Sequence, residues 1–361
     1  MQFGIFSNGF RPHTTAAQTY EEDIREIVLA DKLGFRDAYI SEHHGEPPYI
    51  NRVDTIPMPE LLMCKAAGLT KQIRMGAAIR LLHIHHPLDV AIQAAVTEHL
   101  LGEGRFIFGF GSGFPSPQFT EERGLTFEDR HERLTESLDF ILKCWGSDEI
   151  FDWDGAHWKG KGVVALPKPL SSPHMPMATA TDTDAMIKIA AERGYTLLSA
   201  FLETPERLKP KGDKYEKYAR AAGITGARKN ITASRIVYIA DSYEEALEDL
   251  RPAVTYEISV QAERGFLKML KNVFNLDVPN DERAIEVLAE AGLYLLGTPD
   301  SVAARIREFH DDSGGFGTFL IVTGKDWATA EKRARSMTRF MEEVAPQLRD
   351  LEPAEASLAA E

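Results

Sequence analysis

Short apolar runs of strand length alternate with longer segments of helical periodicity along almost the whole chain. Such alternation is typical of a parallel sheet whose consecutive strands are joined by crossover helices. The predicted strands are 2–6, 37–41, 73–79, 105–110, 177–180, 196–201, 231–240 and 318–322. The predicted helices are 20–33, 59–69, 87–101, 127–145, 185–193, 206–222, 301–309 and 328–344, with a mostly helical block over 243–292.

Eight strand-helix units close naturally as a (β/α)8 barrel of the TIM type, so we predict this α/β fold for residues 1–361 as a single domain. Two insertions interrupt the alternation: an aromatic, glycine- and proline-rich excursion over 146–176, and the larger helical block over 243–292 before the last strand. The acidic, alanine-rich tail over 352–361 is expected to fray. A doubly wound open sheet is the alternative. It is disfavoured because the turn over 7–11 lacks the glycine spacing of a nucleotide-binding fingerprint.

Charge and composition narrow the possible partners and the location. The formal net charge of −14 argues against a nucleic-acid partner, because binding to phosphate backbones requires a basic surface. No stretch approaches the roughly 18 consecutive apolar residues of a membrane span. The two cysteines, Cys64 and Cys144, support neither a disulfide framework nor a cysteine metal site. The N-terminal segment has no leader-like pattern, so we expect a cytoplasmic protein.

Polar side chains follow the predicted strands at the end where an α/β barrel carries its active site. The set consists of Asn8, His43, His44, Arg80, His83, Ser112, Thr179, Thr181 and Thr183. The segment Ser41-Glu42-His43-His44 is prominent, because imidazole exchanges protons near neutral pH. Side chains alternate in direction along a strand. We therefore expect one of the two histidines to take part in chemistry and the other to cap the strand or hydrogen-bond within the barrel mouth.

A metal site is the obvious rival explanation for the histidines at positions 83, 85, 86 and 99. No carboxylate lies within this group to complete a ligand set. Pro87 is expected to open the following helix, which makes His86 a candidate N-terminal residue of that helix. From these observations we predict that the chain has no metal site.

Two segments are candidates for anion binding. Gly109-Phe110-Gly111-Ser112-Gly113 resembles a phosphate cradle, but it lacks the Lys-Ser/Thr ending of a P-loop and is better explained as a turn that lets a flat ring approach the backbone. The stretch over 179–183 stands between a strand and a helix and offers hydroxyls together with helix-start amides. Plain N-capping of that helix by Thr183 or Asp182 remains an equal alternative to phosphate binding.

Four segments in this order resemble the bacterial luciferase-like flavin monooxygenases, and most of all the branch that contains the limonene and diketocamphane monooxygenases. They are Ser41-Glu42-His43-His44, residues 76–82 with His86-Pro87, residues 100–113, and residues 296–302 with 314–318. The resemblance spans nearly the whole chain.

The resemblance implies a homodimeric (β/α)8 barrel and a two-component reaction. A separate flavin reductase would supply reduced FMN, which reacts with O2 to a C4a-hydroperoxyflavin that oxygenates a small apolar or carbonyl-bearing organic substrate. Related barrels use F420 for hydride transfer without oxygen, and some relatives bind flavin without catalysis. An F420-dependent oxidoreductase and a non-catalytic flavin-binding protein are therefore the alternatives.

The resemblance also implies roles for individual residues. His43 matches the catalytic histidine, and the Ala78-Ile79 bond matches a cis peptide that lies against the flavin ring. Ser112 and Gly113 match the loop beside the ring and the ribityl chain. Ser112 stands where luciferases carry a phosphate-binding arginine, so Arg130 is expected to substitute for it. The phosphate-binding turn would consist of Thr179, Ala180, Thr181 and Thr183, and the substrate pocket would include His44, His83 and His85.

Overall fold

The computed structural model describes residues 1–12, 14–44, 56–113, 117–263 and 265–353. Its strands are β1 (Gln2–Phe10), β2 (Asp37–Ile40), β3 (Arg74–Ala77), β4 (Arg80–Leu81), β5 (Phe106–Gly111), β6 (Phe151–Asp154), β7 (Lys159–Val163), β8 (Met177–Thr179), β9 (Thr196–Leu198), β10 (Ile231–Ile239), β11 (Tyr294–Gly297) and β12 (Thr318–Lys325).

The α-helices are α1 (Ala16–Leu33), α2 (Pro59–Ala67), α3 (Pro87–Leu101), α4 (Pro117–Glu121), α5 (Arg130–Gly146), α6 (Asp184–Glu192), α7 (Pro205–Ala221), α8 (Tyr243–Glu263), α9 (Phe266–Phe274), α10 (Ala284–Glu290), α11 (Pro299–Asp312) and α12 (Ala330–Arg339). A π-helical turn over Phe340–Val344 continues α12. None of the helices in the described ranges is long and apolar enough to cross a bilayer.

Eight of these strands form a closed parallel barrel in the order β1, β2, β3, β5, β8, β9, β10, β12 and back to β1. They are the eight strands that the apolar runs predict, so the (β/α)8 barrel is confirmed and the open doubly wound sheet is wrong. All six residues of β5 and all eight of β12 are buried. Parallel strands that are covered on both faces have nearly continuous apolar sequences. This is why these strands could be predicted from the sequence.

Alternate residues of the strands belong to two different apolar clusters. Tyr39, Ile107 and Leu320 pack together in one cluster, which also holds Ala178 and Leu198. Their chain neighbours, such as Ala38 and Phe106, pack in the larger cluster formed with the surrounding helices. Because side chains alternate across a strand, the first cluster fills the interior of the barrel.

The excursion over 146–176 contains an antiparallel hairpin, β6–β7, which packs on α5. The Trp153 ring lies 5.0 Å from that of Phe140. The Glu136 carboxylate accepts hydrogen bonds from the indole of Trp153 and from the backbone N–H groups of His157 and Trp158. The aromatic residues of the excursion are therefore the contacts that attach it to the barrel wall.

The helical block over 243–292 resolves into α8, α9 and α10 and is followed by a strand that the sequence pattern does not predict. That strand, β11, pairs with the second half of β10, while the first half of β10 pairs with β12. A buried ion pair fixes the block to the barrel: Lys325 at the end of β12 contacts Glu257 of α8 at 2.5 Å. The indole of Trp327 donates to the other oxygen of Glu257 at 2.9 Å.

Candidate active site

The parallel strands bring the segments after β2, β4, β5 and β8 to one rim of the barrel. Above the interior cluster, this rim is lined by the apolar side chains of Ile79 and Leu81 and by Phe119 of the short helix α4. Glu42, His44 and His85 stand at the same rim, so titratable groups border an apolar mouth.

The buried carboxylate of Glu42 is the centre of the polar contacts at the rim. Its Oε1 lies 2.6 Å from Nε2 of His44 and 3.0 Å from Nε2 of His85. Its Oε2 accepts hydrogen bonds from the Leu81 backbone N–H at 3.2 Å and from Arg80 at 3.3 Å. Both oxygens of one carboxylate thus orient groups from the segment after β2, from β4 and from the segment after β4.

Charge at the rim favours an ionised Glu42. Burial alone would raise its pKa, but the hydrogen bonds from His44 and His85 and the charge of Arg80 outweigh burial and lower the pKa to about 2. Arg80 also lies 3.5 Å from the carboxylate of Glu60, whose pKa is raised by burial. The guanidinium is therefore shared between two carboxylates.

The two adjacent histidines follow β2 at the rim. His44 joins Glu42, and its ring packs 5.3 Å from that of Phe119. His43 is half-buried, and its backbone N–H donates to the carbonyl of Ile56 at 3.1 Å. His44 thus hydrogen-bonds within the barrel mouth, and the role of His43 stays a prediction.

The histidines after β4 separate into three environments. His83 is fully buried, and neither of its ring nitrogens has a hydrogen-bond partner among the described residues. Burial, and next the charge of Arg133, lower its pKa to about 4, so its ring is neutral. His85 contacts Glu42. His86 is the N-cap of α3, where its Nδ1 accepts from the Leu88 backbone N–H, which confirms the sequence-based placement.

The glycines of β5 have a packing explanation. The Ala78-Ile79 peptide is cis, as the resemblance implies. A Cβ added to Gly109 would lie 1.8 Å from the Ala77 carbonyl oxygen, and one added to Gly111 would lie 2.3 Å from the Ile79 side chain. Glycine is needed here so that β5 can approach the backbone around the cis bond. Ser112 and Gly113 follow directly at the rim.

The turn over 179–183 precedes α6 and has unused hydrogen-bonding groups. Thr179 is fully buried, and its hydroxyl has no hydrogen-bond partner within the described ranges. Thr183 is the N-cap residue of α6, yet its side chain makes no capping hydrogen bond. Instead its hydroxyl lies 3.1 Å from that of Thr181. Side-chain capping by Thr183 is therefore wrong, and the turn fits an anion at the helix start.

Two cations of α7 contact this turn through Asp182. Asp182 contacts Lys211 at 2.5 Å and Arg207 at 3.8 Å. Arg130, the sequence-based candidate, donates to the Phe127 carbonyl at 3.3 Å, and its guanidinium lies 4.1 Å above the Phe127 ring. Its charge also contributes to the lowered pKa of His83.

The sequence-based set of site residues does not include Glu42, which contacts His44 and His85, or Lys211, which contacts Asp182. Glu42 is adjacent to His43 in the segment Ser41-Glu42-His43-His44. The sequence pattern therefore already indicated that Glu42 lies at the rim. Lys211 lies within a helix rich in charged residues, and nothing in its local pattern distinguishes it from a solvated surface lysine.

The chain is similar in sequence to a known family of proteins. The sequence profile described as luciferase-like monooxygenase matches residues 1–314. The limonene 1,2-monooxygenase of Rhodococcus erythropolis is 28% identical over 356 residues, which cover 96% of this chain and 86% of that protein.

Solved structures share the fold. The oxygenating constituent of 3,6-diketocamphane monooxygenase from Pseudomonas putida, a type II Baeyer-Villiger monooxygenase in complex with FMN, has a TM-score of 0.83 at 25% identity and covers 98% of this chain and 100% of its own. An F420-dependent secondary alcohol dehydrogenase has a TM-score of 0.69 at 18% identity, with 97% of this chain and 99% of its own covered, which is a likeness of fold alone.

Proposed function

Because the chain belongs to the family of luciferase-like monooxygenases, we propose that it oxygenates a small apolar or carbonyl-bearing organic molecule with reduced FMN and O2. A separate flavin reductase would supply the reduced FMN. The similarity to a diketocamphane monooxygenase with bound FMN, across 98% of this chain, supports FMN over F420.

The single observation that carries the proposal is the turn over 179–183. An unpartnered buried hydroxyl on Thr179 and a helix start without a side-chain cap are the groups that a phosphate would satisfy. Thr179, Ala180, Thr181 and Thr183 would bind the phosphate of FMN. Arg207 and Lys211, which contact the turn through Asp182, are the nearest countercharges, and Arg130 is the alternative.

The flat ring of the flavin would lie at the rim beside the cis peptide. Ala78 and Ile79 would contact the ring, and Ser112 and Gly113 would border the ring and the ribityl chain. The glycines of β5 support this arrangement, because they bring the backbone of the rim segments close together.

Bound reduced FMN would supply two electrons and activate O2. The chain would contribute a dry mouth, for which the burial of Ile79, Leu81 and Phe119 is the supporting observation. The imidazole of His43 would hold and move the proton beside the reacting oxygen. His44, His83 and His85 would border the substrate, with His44 and His85 oriented by Glu42.

The test uses limonene and 3,6-diketocamphane as probes, with isotopically labelled O2 and a flavin reductase that keeps FMN reduced. We expect a product that carries one labelled oxygen atom for at least one probe. Bound flavin without reductase-dependent oxygen uptake coupled to product, across these and further small apolar or carbonyl-bearing probes, would favour a non-catalytic flavin-binding protein. Substrate oxidation that depends on F420 and continues without oxygen would favour the F420-dependent alternative.

We also propose that the chain forms a homodimer through α2 and α3. Leu61 of α2, Leu69 just after it, and Val96 and Leu100 of the neighbouring α3 are between 39% and 67% exposed. Such a patch of large apolar side chains is typical of a protein interface. Sedimentation equilibrium should give the dimer mass for the parent chain and the monomer mass for a Leu61→Glu, Leu100→Glu variant. A monomeric parent would contradict the proposal.

A further inference from the structure

Glu42, His44 and His85 present three metal-ligating atoms to one point at the rim. Oε1 of Glu42 lies 2.6 and 3.0 Å from the two Nε2 atoms, and the three atoms are all within 4.8 Å of one another. Bonds of about 2.1 Å from a tetrahedral zinc ion place neighbouring ligand atoms roughly 3.4 Å apart. The two Oε1–Nε2 distances would therefore have to widen by about 0.4 to 0.8 Å for the three side chains to surround an ion.

We propose that Glu42, His44 and His85 form a binding site for a divalent transition-metal cation such as Zn²⁺. Two imidazoles and one carboxylate on one side of an ion form a recurrent ligand set that leaves the remaining positions open. The site shares His44 and His85 with the proposed substrate pocket, but metal binding itself requires neither flavin nor substrate.

The carboxylate that completes this set comes from a different strand. The histidines after β4 have no carboxylate in their own segment, which is why the sequence pattern predicts no metal. The barrel brings Glu42 of the segment after β2 to His85, across 43 positions of the chain. The prediction that the chain has no metal site rested on sequence proximity, and the parallel sheet supplies the missing ligand.

The second oxygen of Glu42 is already held, as the carboxylate of a metal site requires. The backbone N–H of Leu81 and the guanidinium of Arg80 both donate to Oε2. This arrangement turns Oε1 toward the two imidazoles and fixes the ligand in an orientation for binding through one oxygen. Outer contacts of this kind orient ligands in established metal sites.

Access and charge also suit a cation. The Glu42 side chain is fully buried, whereas those of His44 and His85 are 13% and 23% exposed, so an ion can enter from the histidine side. The Arg80 guanidinium lies 3.3 Å from Glu42 and 3.5 Å from Glu60, so it is shared between two carboxylates.

The experiment is a Zn²⁺ titration of the untagged, chelator-dialysed chain in competition with a chromogenic chelator, without flavin. We expect one saturable Zn²⁺ site per chain. Glu42→Gln, His44→Ala and His85→Ala should each weaken it by more than about 100-fold, beyond the effect of losing an outer contact. His131→Ala, which removes an exposed histidine of α5, should leave affinity unchanged.

Co²⁺ provides a second readout, because its visible absorption band reports the ligand set. We expect a band in the parent chain that changes in His85→Ala and persists in His131→Ala. If Glu42→Gln does not fold, the two histidine variants alone test the proposed metal site. Their folding is checked by circular dichroism. Absence of saturable Zn²⁺ binding by the parent, or equal affinity in a folded His44→Ala, His85→Ala double variant, would overturn the proposal. The three residues would then be only a hydrogen-bonded group.

Discussion

Oε1 of Glu42 lies 2.6 Å from Nε2 of His44, two positions further along the segment after β2. Side chains two positions apart in an extended segment point the same way, which allows Glu42 and His44 to meet. His44 thus belongs to the Glu42 cluster, and we propose that His43 takes part in the chemistry.

His43→Ala should separate oxygen consumption from product formation. If His43 moves the proton beside the reacting oxygen, its loss should abolish oxygenated product while oxygen uptake continues and yields hydrogen peroxide. Product and peroxide are measured together with a probe that the parent chain oxygenates. His131→Ala, on the exposed face of α5, is the matched control and should behave like the parent. Unchanged product formation in His43→Ala would show that another residue has this role.

Thr179→Val should weaken the binding of FMN and spare that of riboflavin, which lacks the phosphate. The substitution removes a buried hydroxyl with little change in side-chain volume. Loss of one hydrogen bond to a charged group corresponds to about 1.5–3 kcal/mol, or roughly 10- to 100-fold in affinity. Thr135→Val, at an exposed site on α5, is the control. An equal loss for both flavins would place the phosphate elsewhere.

Gly109→Ala should destabilise the chain strongly. The added methyl group would lie 1.8 Å from the Ala77 carbonyl oxygen, so β5 would have to move away from β3. We expect a loss of about 3 kcal/mol or more in the free energy of unfolding, measured by urea denaturation. Gly146→Ala is the matched control, because a Cβ at this last residue of α5 meets nothing within 4 Å. Equal stability of the two variants would refute the packing argument.

Lys325→Met should destabilise the contact between the helical block and the barrel. It leaves the Glu257 carboxylate buried without its cation, which typically lowers the free energy of unfolding by about 3–5 kcal/mol. Adding Glu257→Gln should restore much of this loss, since the amide oxygen still accepts from Trp327 and no charge remains buried. Thermal unfolding of both variants measures the effect. A single variant as stable as the parent would show that the ion pair contributes nothing.

The eight barrel strands could be predicted because burial on both faces makes the sequence of each short strand almost continuously apolar. The four-residue β11 and the two-residue β4 were not predicted, since runs of this length next to helices or turns carry no distinctive period. The contact between Glu42 and His85 depends on the register of strands far apart in sequence, which no local pattern contains. The cis peptide followed from the resemblance and not from the pattern of residues.

The central claim is that the rim binds reduced FMN, and an anaerobic fluorescence titration of the purified chain tests it without knowledge of the substrate. The chain is titrated in parallel with reduced FMN and with reduced F420. We expect saturable binding of one reduced FMN per chain and weaker or no binding of reduced F420. Tighter binding of reduced F420, or no binding of either cofactor, would contradict FMN binding at the rim.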